Sequence, residues 1–280
     1  MLIEITKFII YSILIVLISK YILVSTLRKL AESLNLKAKT VGDVAGYATS
    51  VPEFLTITTS SLRGLMGASI YNILSSNIIN LIQYLGAIIL NKNISKLKSK
   101  AIKIELILVI ITIVIPIILL NFNIELKLWI VPIFMTLYAL FRFLNNNAHK
   151  KYLQKEDKEI ELEIEKEKRL EREKKKKTIE YFIYLFLTGI LLFIIGELLG
   201  NTLENLCNLF NVPQIIIGIL LGFTTSIPEL LTFFEAQKHH KKAEDDMLGV
   251  VETTNNLLTS NILNLFIIQT MGIIIISIVQ

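Results

Sequence analysis

Gly46-Tyr-Ala-Thr-Ser-Val-Pro-Glu-Phe-Leu-Thr56 and Gly222-Phe-Thr-Thr-Ser-Ile-Pro-Glu-Leu-Leu-Thr232 are two versions of one segment. Seven of the eleven positions are identical, and the other four exchange similar residues. Each version places a carboxylate, Glu53 or Glu229, beside a proline and two hydroxyl residues in an apolar stretch. An acidic residue at the centre of a membrane helix costs about 2.5–3.5 kcal/mol on insertion scales. A matched pair of such residues therefore predicts a site that handles ions.

The chain as a whole is strongly apolar, with 53% hydrophobic residues and a mean hydropathy of +0.60 over 280 residues. Its apolar residues fall in blocks of roughly 17 to 25, the length that crosses a bilayer as a helix. The pattern predicts an all-α, polytopic membrane protein with about eight transmembrane helices. These lie at about 5–27, 41–62, 66–90, 102–121, 126–145, 179–200, 212–235 and 247–279.

The net charge of +5 is unevenly distributed, which favours a lipid bilayer over a nucleic acid as the partner. Basic residues concentrate in the connections between helices one and two, three and four, five and six, and seven and eight. Residues 146–178 alone hold twelve Lys or Arg. Because basic loops stay in the cytoplasm, we predict a cell-membrane protein with both termini outside and this charged linker inside.

The charged linker divides the chain into two membrane halves, 1–145 with five helices and 179–280 with three. The first version of the repeated segment lies on helix two and the second on helix seven. Five spans separate them, so the two copies enter the membrane from opposite sides. This arrangement predicts an inverted-topology repeat, the usual construction of a secondary transporter.

The chemistry of each segment starts from its proline, Pro52 or Pro228, which removes a backbone donor and bends a helix. In lipid, the backbone groups freed in this way need a partner such as an ion or a water-filled cavity. Hydroxyl and carboxylate oxygens surround each proline, and such hard-oxygen sets suit Ca²⁺ and also Na⁺. The candidate ligands are Thr49, Ser50, Glu53, Thr225, Ser226 and Glu229, with the two glutamates as the charged metal ligands.

A second pair of similar segments follows the first pair, Ser76-Asn-Ile-Ile-Asn80-Leu81 and Ser260-Asn-Ile-Leu-Asn264-Leu265. Residues four apart share a helix face, so each segment carries one polar stripe. Asn77 and Asn261 point off the stripes, and we interpret them as links between helices. The stripes consist of Asn72, Ser76 and Asn80 in the first half and Asn256, Ser260 and Asn264 in the second.

Together, the Thr-Ser-x-Pro-Glu and Ser-Asn-Ile-x-Asn motifs resemble the two α-repeats of the cation/calcium exchanger superfamily, closest to its sodium/calcium exchanger branch. The resemblance implies four ion sites at mid-membrane and alternating access by sliding of helices one and six. It adds Ser76, Asn80, Ser260 and Asn264 to the ligand set.

The chain departs from the family pattern in three ways. Family members usually have ten helices, so the predicted eight leave a second copy or a helper subunit open as partners. The family usually has glycines beside each polar stripe, and Tyr71, Ser75, Asn255 and Thr259 replace them here, which predicts looser helix contact. Many sodium/calcium exchangers carry an aspartate where either Asn80 or Asn264 stands here.

We therefore predict an antiporter in which one Ca²⁺ competes with Na⁺ or H⁺ for Glu53 and Glu229. The coupling ion stays open at this point. A truncated, non-transporting member that acts as an assembly partner is the alternative from another class. No enzyme and no resident cofactor are expected, because the chain offers no nucleophile, cofactor loop or cysteine cluster.

Two further sets of residues are interpreted without a role in the ion site. His149, His239 and His240 fall in predicted cytoplasmic loops and are expected to be solvated. Asp43 and Glu252 lie near predicted helix starts, where an acidic side chain complements the helix dipole.

Overall fold

A computed structural model describes residues 2–34, 36–64, 66–152, 171–210, 213–242 and 246–279. Every regular element in these ranges is helical, which confirms the all-α prediction. The first half contains α1 Leu2–Ile18, α2 Ser25–Ser33, α3 Ala38–Thr49, α4 Val51–Leu62, α5 Met66–Leu90, α6 Lys100–Asn121 and α7 Val131–Tyr152. A π-helical turn, Ser19–Val24, joins α1 to α2, and 3-10 turns at Ile94–Lys98 and Leu128–Ile130 precede α6 and α7.

The second half contains α8 Glu171–Phe210, α9 Gln214–Thr225, α10 Ile227–Lys242, α11 Asp246–Ile262 and α12 Gln269–Val279, with a π-helical turn at Leu263–Ile268. Of the predicted linker, 146–152 continues α7 and 171–178 begins α8, whereas 153–170 lies outside the described residues. The continuation of α7 past residue 145 brings linker residues into the helical bundle.

Seven segments of the described chain are long and apolar enough to cross a membrane. The predicted span at 41–62, which forms the helices α3 and α4, is not among them, because it is rich in threonine and serine. The predicted count of eight is therefore approximate, since one of the eight segments is a broken, polar helix pair. The chain is a multi-pass membrane protein.

The distribution of side chains is the reverse of that in a water-soluble domain. Large apolar residues such as Trp129, Phe143 and Phe186 are more than half exposed on the outer helices, where they face lipid. The interior instead holds many polar side chains, including the three fully buried glutamates Glu53, Glu105 and Glu229. Apolar packing surrounds this polar centre, for example where Phe134 and Phe141 meet Phe266 edge-on at 5.7 and 5.1 Å between ring centroids.

The two halves interlock around the centre, because α3 packs along α11 and α9 packs along α5. A glycine lies at a close approach on each side. A Cβ added at Gly46 would lie 2.9 Å from the Asn256 carbonyl oxygen, and one added at Gly222 would lie 2.6 Å from that of Asn72. Close approach here depends on glycines of the facing helices α3 and α9, and the looser contact predicted from the replaced glycines stays a prediction.

The basic loops meet at one end of the bundle, which we call the linker end and define by residues 91–99 and the last turns of α7 and α10. Asn93 donates to Gln237 at 3.2 Å, and Lys39 donates to Asn146 at 2.9 Å. Arg63 and Asn201 form a hydrogen bond at the opposite end. The assignment of the linker end to the cytoplasm stays a prediction.

Candidate functional site

Each repeated segment breaks its helix at the serine before the proline. Helix α3 ends at Thr49, and α4 starts with Pro52 in its first turn. Ser50 at the break has φ −81° and ψ −1°, and Ser226 between α9 and α10 has φ −81° and ψ −3°. The bend predicted from the sequence is thus a full break, since proline cannot continue the hydrogen-bond ladder of the preceding helix. The two copies fold in the same way.

The breaks place Glu53 and Glu229 in the first turns of α4 and α10, where both side chains are fully buried. One carboxylate oxygen of each accepts a hydrogen bond from the serine of its own repeat. The distance is 3.3 Å from Ser76 to Glu53 and 3.1 Å from Ser260 to Glu229. The two predicted motifs of each half therefore meet within that half.

Other contacts cross between the halves. Ser50 donates to the hydroxyl oxygen of Ser260 at 3.0 Å, and the hydroxyl groups of Ser76 and Thr225 lie 3.3 Å apart.

In the mirrored position, Ser226 donates to the backbone oxygen of Ser76 at 3.5 Å. The structure thus brings both repeated segments and both serines into one site between the halves.

Asn80 and Asn264 complete the set of ten predicted residues, and both are fully buried on α5 and in the π-helical turn after α11. Asn80 donates to Asn261 at 3.2 Å, and Asn264 donates to Asn77 at 3.5 Å. A π-helical turn widens the helix and is frequent at functional sites. The matching stretch of α5 is an ordinary α-helix, so the two stripes differ at this position.

Four oxygens of the site lack a donor among the described residues. They are Oε2 of Glu53, Oε2 of Glu229, Oδ1 of Asn80 and Oδ1 of Asn264. Leaving such an acceptor buried and unpaired costs about 1–3 kcal/mol, so groups of this kind call for a partner. A cation satisfies several acceptors at once, and Ca²⁺ takes six to eight oxygen ligands.

Two threonines support the site and were not part of the predicted ligand set. Thr56 donates to the backbone oxygen of Glu53 at 3.0 Å and accepts from Asn72 at 2.9 Å. Thr232 and Asn256 repeat this arrangement around Glu229 at 2.8 Å for both bonds. The available signal was the identical threonine that ends both versions of the repeated segment.

Asp43 belongs to a separate polar cluster at the linker end, beyond its predicted role at a helix start. Its carboxylate pairs with Arg142 of α7 and accepts from Thr259 of α11 at 2.6 Å. It also lies 3.5 Å from the amine of Lys39. The cluster is not repeated in the second half, because the residue that corresponds to Asp43 there is Ile219.

The prediction that all three histidines are solvated is wrong for two of them. His149 is 7% exposed and lies 2.6 Å from the buried carboxylate of Glu105. His240 lies 2.8 Å from Glu252. Helix α7 extends past the predicted span end, which carries His149 into the bundle. His239 is exposed, as predicted.

Within the described residues, no group of three His, Cys, Asp or Glu side chains is placed to hold a metal ion. The central site instead combines two carboxylates with neutral hydroxyl and amide oxygens. Such a set suits a hard cation that binds and leaves, because few of its ligands carry charge.

Comparison with solved structures reveals the same fold in the sodium-calcium exchanger NCX_Mj. The form soaked with 100 mM Na⁺ and 10 mM Sr²⁺ is 23% identical, with a TM-score of 0.56 over 98% of this chain and 83% of that chain. The form soaked with 2.5 mM Na⁺ and 0.1 mM Ca²⁺ is 22% identical, with a TM-score of 0.55 over 98% and 82%.

The form soaked with zero Na⁺ and Ca²⁺ is 20% identical, with a TM-score of 0.52 over 100% of this chain and 88% of that chain. No curated protein matches the chain in sequence. The family model described as sodium/calcium exchanger protein matches residues 5–145 and 180–280, which is most of the chain. The chain therefore belongs to the sodium/calcium exchanger protein family.

Proposed function

We propose that the protein is a secondary-active antiporter that exchanges Ca²⁺ for Na⁺ by alternating access at the site between its two halves. The four buried oxygens without a donor, on Glu53, Glu229, Asn80 and Asn264, carry this proposal. They lie on two inverted segments, so a cation bound to them belongs to both halves. Family membership supports transport of cations as the general activity.

The charge of the site limits what it exchanges. Glu53 and Glu229 supply two negative charges when ionised, whereas Asn80 and Asn264 are neutral. One Ca²⁺ or two Na⁺ balance the two carboxylates, and a third Na⁺ would leave a buried excess positive charge. Since an unbalanced buried charge is costly, the exchange we propose is one Ca²⁺ for two Na⁺.

The contact between α8 and α4, which lies beside the site, supports movement of the outer helices α1 and α8. Helices α1 and α8, which are helices one and six of the predicted order, pack on each other, and α8 also packs on α4. A Cβ added at Gly196 would lie 2.9 Å from the Leu55 Cβ, and one added at Gly200 would lie 2.6 Å from the Thr59 Cβ. Because both residues are glycines, α8 has no protruding side chain at these two positions, and this permits α8 to slide along α4.

The experiment is ⁴⁵Ca²⁺ uptake into proteoliposomes that contain the full-length protein, first under an outward Na⁺ gradient. We expect uptake with the wild type and loss of uptake with Glu53→Gln and with Glu229→Gln. Glu125→Gln is the matched control, because Glu125 is an exposed glutamate between α6 and α7. No uptake by the wild type under either a Na⁺ or a pH gradient would contradict transport. Uptake that survives both substitutions would contradict the assignment of the site.

The pH gradient in the same assay tests H⁺ as the coupling ion. A buried carboxylate with an unpaired oxygen accepts a proton readily, so two protons satisfy Glu53 and Glu229 as well as two Na⁺ do. Uptake driven by the pH gradient and not by the Na⁺ gradient would replace Na⁺ with H⁺ and leave the site unchanged.

A further inference from the structure

Asn77 on α5 and Asn261 on α11 face each other across the boundary between the two halves. The side-chain nitrogen of Asn77 donates to the backbone oxygen of Asn261 at 3.3 Å. The side-chain nitrogen of Asn261 donates to the backbone oxygen of Asn77 at 3.2 Å. Both side chains are fully buried. The pair is therefore reciprocal, as expected for two inverted repeats.

These two bonds determine which way each amide points. A backbone carbonyl oxygen only accepts hydrogen bonds, so the NH₂ group of each asparagine has to face it. The amide oxygen of each then faces the other way. Oδ1 of Asn261 accepts from Nδ2 of Asn80 at 3.2 Å, and Oδ1 of Asn77 accepts from Nδ2 of Asn264 at 3.5 Å.

The orientation of the Asn77 and Asn261 amides determines the orientation of the candidate ligands Asn264 and Asn80. Because their NH₂ groups are engaged, Asn80 and Asn264 turn their own amide oxygens away from the Asn77–Asn261 pair. Those two oxygens are buried, and no donor in the described chain reaches them. An amide in the reverse orientation would present an NH₂ group, which is a donor and repels a cation.

We infer that Asn77 and Asn261 are positioning residues that hold the amide oxygens of Asn264 and Asn80, respectively, in the cation-binding orientation. This inference rests on the proposed function. Each positioning residue acts on the ligand of the opposite half, so α5 and α11 keep their relative position during transport. Partners that orient a metal ligand are typically worth about 10- to 100-fold in metal affinity.

The test uses a property of aspartate, whose two oxygens are both acceptors and need no particular orientation. Equilibrium binding of ⁴⁵Ca²⁺ is measured on the full-length protein in detergent. Asn261→Leu and Asn77→Leu should each lower the affinity by about 10- to 100-fold. The Asn261 variant should have the larger effect, because its bond to Asn80 is the shorter one.

The decisive comparison measures Asn77→Leu and Asn261→Leu in two further backgrounds. One background carries Asn80→Asp and the other carries Asn264→Asp. In an Asn80→Asp protein, Asn261→Leu should cost little affinity, whereas Asn77→Leu should cost as much as before. In an Asn264→Asp protein the pattern should be reversed. A purely structural role predicts the same loss in every background and no such crossed rescue.

The outcomes separate the inference from the function on which it rests. Absence of ⁴⁵Ca²⁺ binding by the wild type would overturn the proposed function and the inference with it. Wild-type binding with equal losses in all backgrounds would overturn the inference alone. The arms on Asn77 and Asn261 are independent, and size-exclusion profiles identify any variant that does not fold, so one folded arm decides the question.

Discussion

Asp43 on α3 and Arg142 on α7 form an ion pair at 2.5 Å. The pair is the middle contact of a ladder along the two helices, with Lys39 bonded to Asn146 on one side and Tyr47 bonded to Tyr138 on the other. The three positions on each helix are four residues apart, so they share one face. The equivalent face of α9 carries Ile215, Ile219 and Phe223, which are exposed. Helix α3 is therefore held to α7 by polar contacts, whereas the equivalent residues of α9 are apolar.

Replacing Arg142 alone should destabilise the protein more than replacing Arg142 and Asp43 together. Removing one partner of a buried pair costs about 3–5 kcal/mol, because the other charge stays behind. Because the Arg142 side chain is 23% exposed, we expect the lower end of that range for Arg142→Met. The double variant with Asp43→Asn should recover part of the loss.

Thermal unfolding in detergent measures this difference. Lys127→Met is the control, since it breaks the Lys127–Glu125 pair, whose side chains are about 70% exposed, and exposed pairs contribute little. A double variant less stable than Arg142→Met would contradict a cost from the Asp43 charge that is left without Arg142.

Alanine at the interlocking glycines should destabilise the protein in a predictable order. Forcing a methyl group into a packed contact costs about 1–3 kcal/mol. A Cβ at Gly222 would lie closer to the facing backbone than one at Gly46, so Gly222→Ala should be the more damaging. Gly86 on α5 has nothing within 4 Å of an added Cβ, so Gly86→Ala should be neutral or stabilising.

The same unfolding measurement tests whether the loss of stability is largest for Gly222→Ala, smaller for Gly46→Ala and absent for Gly86→Ala. The two damaging variants should also lower Ca²⁺ uptake, because the Gly222 and Gly46 contacts lie against the backbone of Ser76 and Ser260. Equal stability of all three variants would mean that α3 and α9 do not need this close approach.

Exchange by the wild type should be insensitive to membrane potential, because one Ca²⁺ replaces two Na⁺. Adding a third negative charge through Asn264→Asp should let the site hold one more Na⁺ and make exchange respond to voltage. Imposed K⁺ diffusion potentials across proteoliposomes, with ⁴⁵Ca²⁺ flux as the readout, measure both. Asn205→Asp is the control, since the exposed Asn205 lies on α8 near the end opposite the linker. Voltage-dependent flux in the wild type would contradict the charge count.

The sequence alone predicts ten candidate ligands, because duplication makes such residues stand out, and their role in binding stays a prediction. Glu53 and Glu229 are costly in lipid, and their repetition in matching contexts excludes chance. The structure places them together, whereas the sequence could not reveal which contacts cross between the halves. The contact between Ser76 and Thr225 spans 149 residues and the bond from Ser50 to Ser260 spans 210 residues, and no local pattern encodes them.

The burial of His149 depends on a partner that is distant in the sequence. His149 is followed by a charged stretch, so it was interpreted as solvated, but its partner Glu105 lies 44 residues away on α6. Asn77 and Asn261 were assigned to helix contacts, and those contacts exist. Their effect on the amides of Asn80 and Asn264 emerges only when donors and acceptors are followed from the backbone outward.

The most direct test of the central claim is a titration of bound ⁴⁵Ca²⁺ with Na⁺ on the purified protein. If Glu53 and Glu229 supply the whole charge of one shared site, Na⁺ should displace Ca²⁺ completely, with two Na⁺ for each Ca²⁺. Glu53→Gln and Glu229→Gln should each abolish the binding. Ca²⁺ that stays bound at saturating Na⁺, or that binds the double variant as well as the wild type, would contradict the account.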